Sequence, residues 1–324
     1  MTMAAEWPRT TRDWYLDFAK EAHGNSPAYE RLSQAVADDA ELIERLDQLP
    51  EPKRQPNLLF AAVRYLGGPV ADLEPFRDFV VQNWDGVSNV MRHRRTQTNE
   101  SGRCAPLLPV LAGLRQPLAL LEVGASAGLC LYPDRYGYRY SNGRVYGSES
   151  TVQLECDATG PVPWPEALPT VVWRAGLDVN PLDVSDDDDV RWLESLVWPE
   201  QEHRRARLKG AAAIARAEPP VLVRGDLLEG LPALAAQAPA GATLVVFHSS
   251  TVTYIGDDAR IRFVDLVTSL NGHWVSNEGR RVFKSVALPD VEPPPGMFGL
   301  LSLDGRALGY TAGHGQALQW FHEG

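Results

Sequence analysis

Two groups of residues in this chain have types and spacings suited to chemistry. The first is Glu122–Leu129, read E-V-G-A-S-A-G-L, at the end of the apolar run Leu118–Val123. Gly124 and Gly128 free the backbone, and Ala125, Ser126 and Ala127 keep bulk away, so a ligand can approach the main chain closely. The plainer alternative is a tight turn that binds nothing. The second group lies downstream. His248, Ser249 and Tyr254 follow an apolar run at 243–247, and His273, Asn277 and Glu278 flank another at 273–276. An imidazole just past a strand exchanges a proton near neutral pH, which makes His248 the candidate general base. Ser249 and Tyr254 could orient a substrate, and Glu278 could face the pocket. Against these stand bland readings: His248 ties down its loop, Tyr254 packs, and Glu278 is a surface acid.

A polar cluster, Gln97, Asn99, Glu100 and Arg103, precedes the first of these groups. Arg103 could grip a carboxylate with two parallel hydrogen bonds. The alternative is local: Asn99 caps the next helix and Glu100 pairs with Arg103. The acidic run Asp186–Asp189 reads as a helix start, where the helix dipole favours negative charge, in preference to a cation site. Arg204, Arg205, Arg207 and Lys209 read as one solvated helix face. Trp84, Tyr138, Tyr140 and Tyr146 could line an aromatic pocket or simply pack.

The elements that must position these residues change character along the chain. Residues 13–22, 27–37 and 40–49 carry apolar positions at helical spacing. Asn57 is placed to cap a helix over 58–66, and 75–94 reads as one further helix. No strand pattern precedes residue 117. From there strands alternate with helices: 118–123, 170–173, 221–223, 243–247 and 273–276 read as core strands. Helices fall at 190–197, 200–217 and 257–270. Asn142-Gly143 between tyrosine-rich flanks signals a hairpin, within an insertion at about 131–169 to which 151–156 could add a strand. Residues 297–320 read as two strands around Asp304-Gly305. The expected fold is therefore α/β, with a mostly parallel sheet, a terminal antiparallel hairpin and an all-helical N-terminal region. The expected domains are 1–116, a helical lid, and 117–324.

The totals favour a small-molecule substrate. With 42 acids against 31 bases the formal charge is −11, which repels phosphate backbones and argues against nucleic acid as a partner. No run is long enough to span a membrane and the N-terminus lacks a signal-peptide core, so the cytoplasm is the default expectation. Cys104, Cys130 and Cys156 are too few and too far apart for a metal knuckle and read as reduced thiols. The sequence leaves the oligomeric state open.

The order of elements over 117–324 resembles the class I S-adenosylmethionine-dependent methyltransferases. The whole chain also resembles an uncharacterised bacterial family, a domain of unknown function. The segments behind that second likeness are Q-T-N-E-S-G-R-C at 97–104, E-V-G-A-S-A-G-L at 122–129, G-L-D-V-N-P-L-D-V at 176–184, W-P-E-Q at 198–201 and H-W-V-S-N-E at 273–278. The methyltransferase resemblance implies a Rossmann-like sheet and S-adenosylmethionine as cofactor. It implies that Glu122, Gly124, Ala125, Ser126 and Gly128 form the cofactor loop, with Ser126 standing where a glycine is usual. It implies that Asp178 accepts from the ribose hydroxyls and that Asp226 lies near the adenine amine. Asn99 and Arg103 could then close over the cofactor's amino acid end. His248, Tyr254 and Glu278 would serve methyl transfer to an oxygen or nitrogen of a small metabolite. The alternatives are a non-catalytic binding or regulatory protein on the same fold, or another enzyme using a different nucleotide-like ligand.

Overall fold

The computed structural model describes residues 10–288 and 291–321. Six helices come first: α1 (Thr11–Ala22), α2 (Pro27–Asp38), α3 (Ala40–Asp47), α4 (Pro56–Tyr65), α5 (Leu73–Gln82) and α6 (Trp84–His93). Helix α7 (Cys104–Gly113) leads to β1 (Leu118–Val123), followed by β2 (Gly137–Tyr140), β3 (Val145–Tyr146) and β4 (Gln153–Thr159). The alternating part runs β5 (Val171–Asp178), α8 (Asp187–Leu196), α9 (Glu202–Ala217), β6 (Val221–Arg224), α10 (Leu227–Ala235) and β7 (Thr243–Ser249). Then come α11 (Asp257–Ser269), β8 (His273–Gly279), β9 (Met297–Leu303), β10 (Arg306–Ala312) and β11 (Ala317–Trp320). These form two compact units. One takes the chain up to residue 98 together with 186–206, and the other takes 99–185 and the chain from 207. That division parts residues 99–116 from the helices before them and gives α8 to the helical unit.

Local chemistry starts the helices of the first unit. Thr10 and Asp13 cap α1 reciprocally, Ser26 caps α2 with Pro27 at its first position, and Asp39 caps α3. Helix α4 begins at Pro56 rather than on an Asn57 cap, and the Asn57 amide oxygen accepts instead from the Trp198 indole at 3.0 Å. The single helix expected over 75–94 is two. Asn83 leaves the helical region (φ −114°, ψ 24°) and its side-chain amide donates to the Phe79 carbonyl at 2.9 Å, ending α5. Tyr15, Phe18, Tyr29, Phe60 and Phe76 form the core, with Tyr29 and Phe60 rings 4.6 Å apart. The acidic run does start a helix: Asp186 caps α8, accepting from the Asp188 amide at 2.8 Å. Its neighbours also bind outward, Asp188 to the Tyr65 hydroxyl and both Asp188 and Asp189 to Arg94.

The second unit is built on one mixed, mostly parallel eleven-stranded sheet in the order β3-β2-β4-β11-β10-β9-β8-β7-β1-β5-β6. Strands β8, β7, β1, β5 and β6 form a parallel block. The chain leaves β1 towards β5 and β6, then returns to β7 on the other side of β1. That reversal makes the carboxyl ends of β1 and β7 the switch point of the sheet, the place where open α/β sheets take ligands into a crevice. Every residue of β1 is buried, which is why its sequence reads as a continuous apolar run.

Three features differ from the sequence expectation. The segment 297–320 holds three strands, and its hairpin lies inside the sheet because β11 pairs in parallel with β4 of the insertion. Helix α10 stands where the sequence signalled none, and α7 begins at Cys104 rather than on an Asn99 cap; each carries an internal proline, Pro109 or Pro232, which reads as a helix breaker. No α-helix crosses from β1 to β5 among the described residues; a 3-10 turn at Leu129–Leu131 and the insertion take its place. Among the described residues, no helix is long and apolar enough to cross a membrane.

Candidate functional site

The loop after β1 is left-handed at alternate residues: Gly124 (φ 75°), Ser126 (φ 51°) and Gly128 (φ 71°). A serine in that region is uncommon and needs outside support. Asp178, at the end of β5, supplies it. One carboxylate oxygen accepts from the Ser126 amide at 2.8 Å and the other from the Asn180 amide at 2.7 Å. Asn99 clamps the same turn, accepting from the Ala127 amide at 2.9 Å while its own amide donates to the Ser126 hydroxyl. Over Gly124 lies the side chain of Thr251, so that a β-carbon built there would stand 2.2 Å from the Thr251 methyl.

Glu122 is buried in the strand beneath this loop, and its Oε2 has no hydrogen-bond partner. Burial, with the neighbouring Cys130 thiol and Asp178, pushes its carboxyl well above the usual range, while Arg103 pulls the other way. Contact with Cys104, then burial, likewise raises the Cys130 thiol. All three cysteines are free and buried.

His248 is fully buried and both ring nitrogens are used. Nδ1 meets Glu278 Oε1 at 2.7 Å, and Nε2 accepts from the Trp274 indole at 2.9 Å. An indole N–H only donates, so the ring proton sits on Nδ1. The register explains the cluster: His248 on β7 stands opposite Ser276 on β8, and Trp274, Ser276 and Glu278 share one face. The edges of Phe263 and Phe283 seal it, with ring centres 5.3 and 5.7 Å from the imidazole. Burial works to raise the Glu278 carboxyl. His248 and the amides of Thr251 and Val252, at 2.8 and 3.0 Å, outweigh it and hold the acid below its ordinary value. The second Glu278 oxygen lacks a partner, and the residue lines a cavity of about 10 Å³ with Ser276 and Ser302, room for about one water.

The other sequence candidates separate. Arg103 reaches the end of β7, donating from Nε to the Gly313 carbonyl and from Nη1 to the Ser249 carbonyl, both at 3.0 Å. It does not pair with Glu100. Glu100 takes Arg207 at 2.8 Å instead, so Arg207 leaves the expected solvated face. Asn277 is buried on the Thr311 hydroxyl at 2.6 Å. Tyr254 is 85% exposed, so it is not the packing residue its sequence position allowed. Asp226 is exposed and caps α10, accepting from the Leu228 amide at 2.8 Å. Tyr138 and Tyr140 are core residues of the insertion, with hydroxyls bound to the Pro133 and Ala105 carbonyls.

Three supports escaped the sequence reading. Thr251 and Trp274 were not singled out there. Arg174 pairs with Asp134 through two bonds at 2.9 and 2.7 Å and also reaches the Leu131 carbonyl, tying β5 to the chain after the loop. Only the charge of Arg174 inside an apolar strand could have signalled it.

Residues 12–72 and 69–320 match a family described as an uncharacterized protein conserved in bacteria, DUF2332. No curated protein matches the chain.

Proposed function

Because the chain belongs to the uncharacterised bacterial family DUF2332, we propose a function from its site alone: binding of S-adenosylmethionine at the β1–β7 crevice and methyl transfer to an oxygen or nitrogen of a small metabolite. The observation that carries this reading is the meeting of the left-handed 124–128 loop with the Asp178 carboxylate where the strand order reverses.

The residues fit such a ligand at Asp178. Each of its oxygens accepts one amide, which leaves acceptor capacity on both for a ribose diol. Asp226 keeps one oxygen beyond its cap for the adenine amine. At Gly124 the room is already taken by Thr251, so close approach to the backbone is confined to the rest of the loop. When bound, the sulfonium supplies an electrophilic methyl. The chain's own part is to hold and orient the reactants. His248 takes no proton in this scheme, because neither nitrogen is open to a substrate.

That commitment of His248 favours a second reading, a binding protein that keeps the ligand and lacks turnover. Calorimetric titration with S-adenosylmethionine and S-adenosylhomocysteine tests the first claim. Saturable binding weakened by Asp178→Ala supports it, and no binding to folded protein overturns it. Turnover with bound ligand separates enzyme from binder.

A further inference from the structure

We infer that Arg103 is the docking point for a carboxylate on the ligand this crevice takes. The residue is only 8% exposed, and the two groups its guanidinium hydrogen-bonds are neutral carbonyls, those of Gly313 and Ser249. Among the described residues no acid forms an ion pair with it. A guanidinium taken out of water is costly unless an anion faces it.

The neighbouring acids are committed elsewhere. Glu100 is occupied by Arg207, at 2.9 Å from Nε and 2.8 Å from Nη2, and by the Gly102 amide at 3.0 Å. Glu278 is occupied by His248 and two backbone amides. Glu122, the remaining acid beneath the loop, feels the Arg103 charge, but burial outweighs it and pushes the carboxyl well above the usual range. A guanidinium has five N–H groups and the two carbonyls take two, so a donor pair is left for an incoming acceptor.

The placement suits a ligand. Arg103 closes the short 3-10 turn Ser101–Arg103 and binds the last residue of β7, at the strand whose end borders the crevice. A single guanidinium, with Arg207 already neutralised by Glu100, matches one negative charge held in two-pronged fashion. That is a carboxylate rather than a phosphate ester, which would call for more cationic groups. The carboxylate could belong to the amino acid end of the methyl donor or to the acceptor. The inference shares the crevice of the proposed function and does not depend on its cofactor.

The experiment is calorimetric titration of the full chain with two matched pairs. S-adenosylhomocysteine is compared with 5′-methylthioadenosine, which lacks the amino acid end; benzoate is compared with benzamide. In at least one pair the carboxylate member should bind about tenfold tighter or better. Arg103→Gln, which keeps a donor for a backbone carbonyl, should erase that preference, and Arg103→Lys should keep part of it. Preference within the nucleoside pair assigns the carboxylate to the donor, and preference within the benzoyl pair assigns it to the acceptor. Equal binding within both pairs, including none at millimolar concentration, overturns the inference whatever the variants do. So does a preference that survives Arg103→Gln. If neither nucleoside binds while benzoate is preferred through Arg103, the methyltransferase reading fails and the carboxylate site stands.

Discussion

The Trp274 indole donates to His248 Nε2 at 2.9 Å while the opposite ring nitrogen meets Glu278 at 2.7 Å, so two residues of β8 grip one imidazole of β7. The ring joins adjacent strands rather than facing a reactant.

Removing the imidazole should therefore cost stability first. His248→Ala leaves the buried Glu278 carboxylate without its imidazole donor, a loss of about 1.5–3 kcal/mol. Trp274→Phe leaves Nε2 unmatched at about 1–3 kcal/mol. Urea unfolding monitored by circular dichroism measures both. A His248→Ala protein as stable as the parent would contradict the buried linkage.

Glu278 and Glu122 should give stability opposite dependences on pH. Burial is outweighed at Glu278 by His248 and two amides, so its carboxyl lies below the ordinary 4.5. Its contribution is complete above that value and is lost as pH falls through the folded one. Burial raises Glu122 above 4.5, so its folded form retains a proton that the unfolded form releases. Stability then declines as pH rises from 4.5 towards the folded value, by up to about 1.4 kcal/mol per pH unit. Glu122→Gln should flatten that decline and leave the protein more stable than the parent at pH 8. Denaturation midpoints between pH 5 and 8 decide it, and parallel curves would remove Glu122 as the cause.

Gly124→Ala should be severe for two separable reasons. The left-handed φ of 75° costs about 1–2 kcal/mol for any L side chain, and the new methyl meets Thr251 at 2.2 Å. Adding Thr251→Gly should recover the collision and leave the conformational cost. Unfolding free energies of the four proteins in the cycle give both parts. Simple additivity would mean that Thr251 does not press on the loop.

Asp178 serves the loop as well as any ligand. Asp178→Ala should speed hydrogen exchange at the Ser126 and Asn180 amides, each of which loses its carboxylate acceptor. Unchanged exchange at both would show that the loop stands without it. A loss of nucleoside binding in this variant is informative only beside that measurement.

Arg174 and Asp134 should behave as one unit. Asp134→Ala strands a guanidinium whose side chain is 5% exposed and should cost about 3–5 kcal/mol, whereas replacing both by apolar residues should cost much less. Thermal unfolding of the single and double variants distinguishes this from two independent losses.

What was legible in the sequence follows from local physics. Strands β1, β7 and β8 showed as apolar runs because both their faces are covered, and Asn142-Gly143 turned where expected, with Tyr138 opposite Tyr146. The position of His248 at the carboxyl end of its strand was legible too. Its partners were not, since the indole and carboxylate that occupy it depend on the register of β7 against β8, and periodicity within one strand does not state that register. Asp178 was found as an acid at a strand end, but its hold on Ser126 joins residues 52 positions apart. Helix α10 was hidden by a proline that packing tolerates.

The parallel pairing of β4 with β11 bears on how the chain is made. Thr159 and Leu318 lie 159 residues apart yet meet across that ladder. During synthesis the insertion strands have no seat on the main sheet until β11 has left the ribosome, so the edge of β4 away from β2 waits unpaired for about half of translation. Such late, long-range closure slows folding and lengthens the period in which a bare strand can pair with the wrong neighbour. A nascent chain halted before residue 317 should therefore aggregate more readily than the complete one.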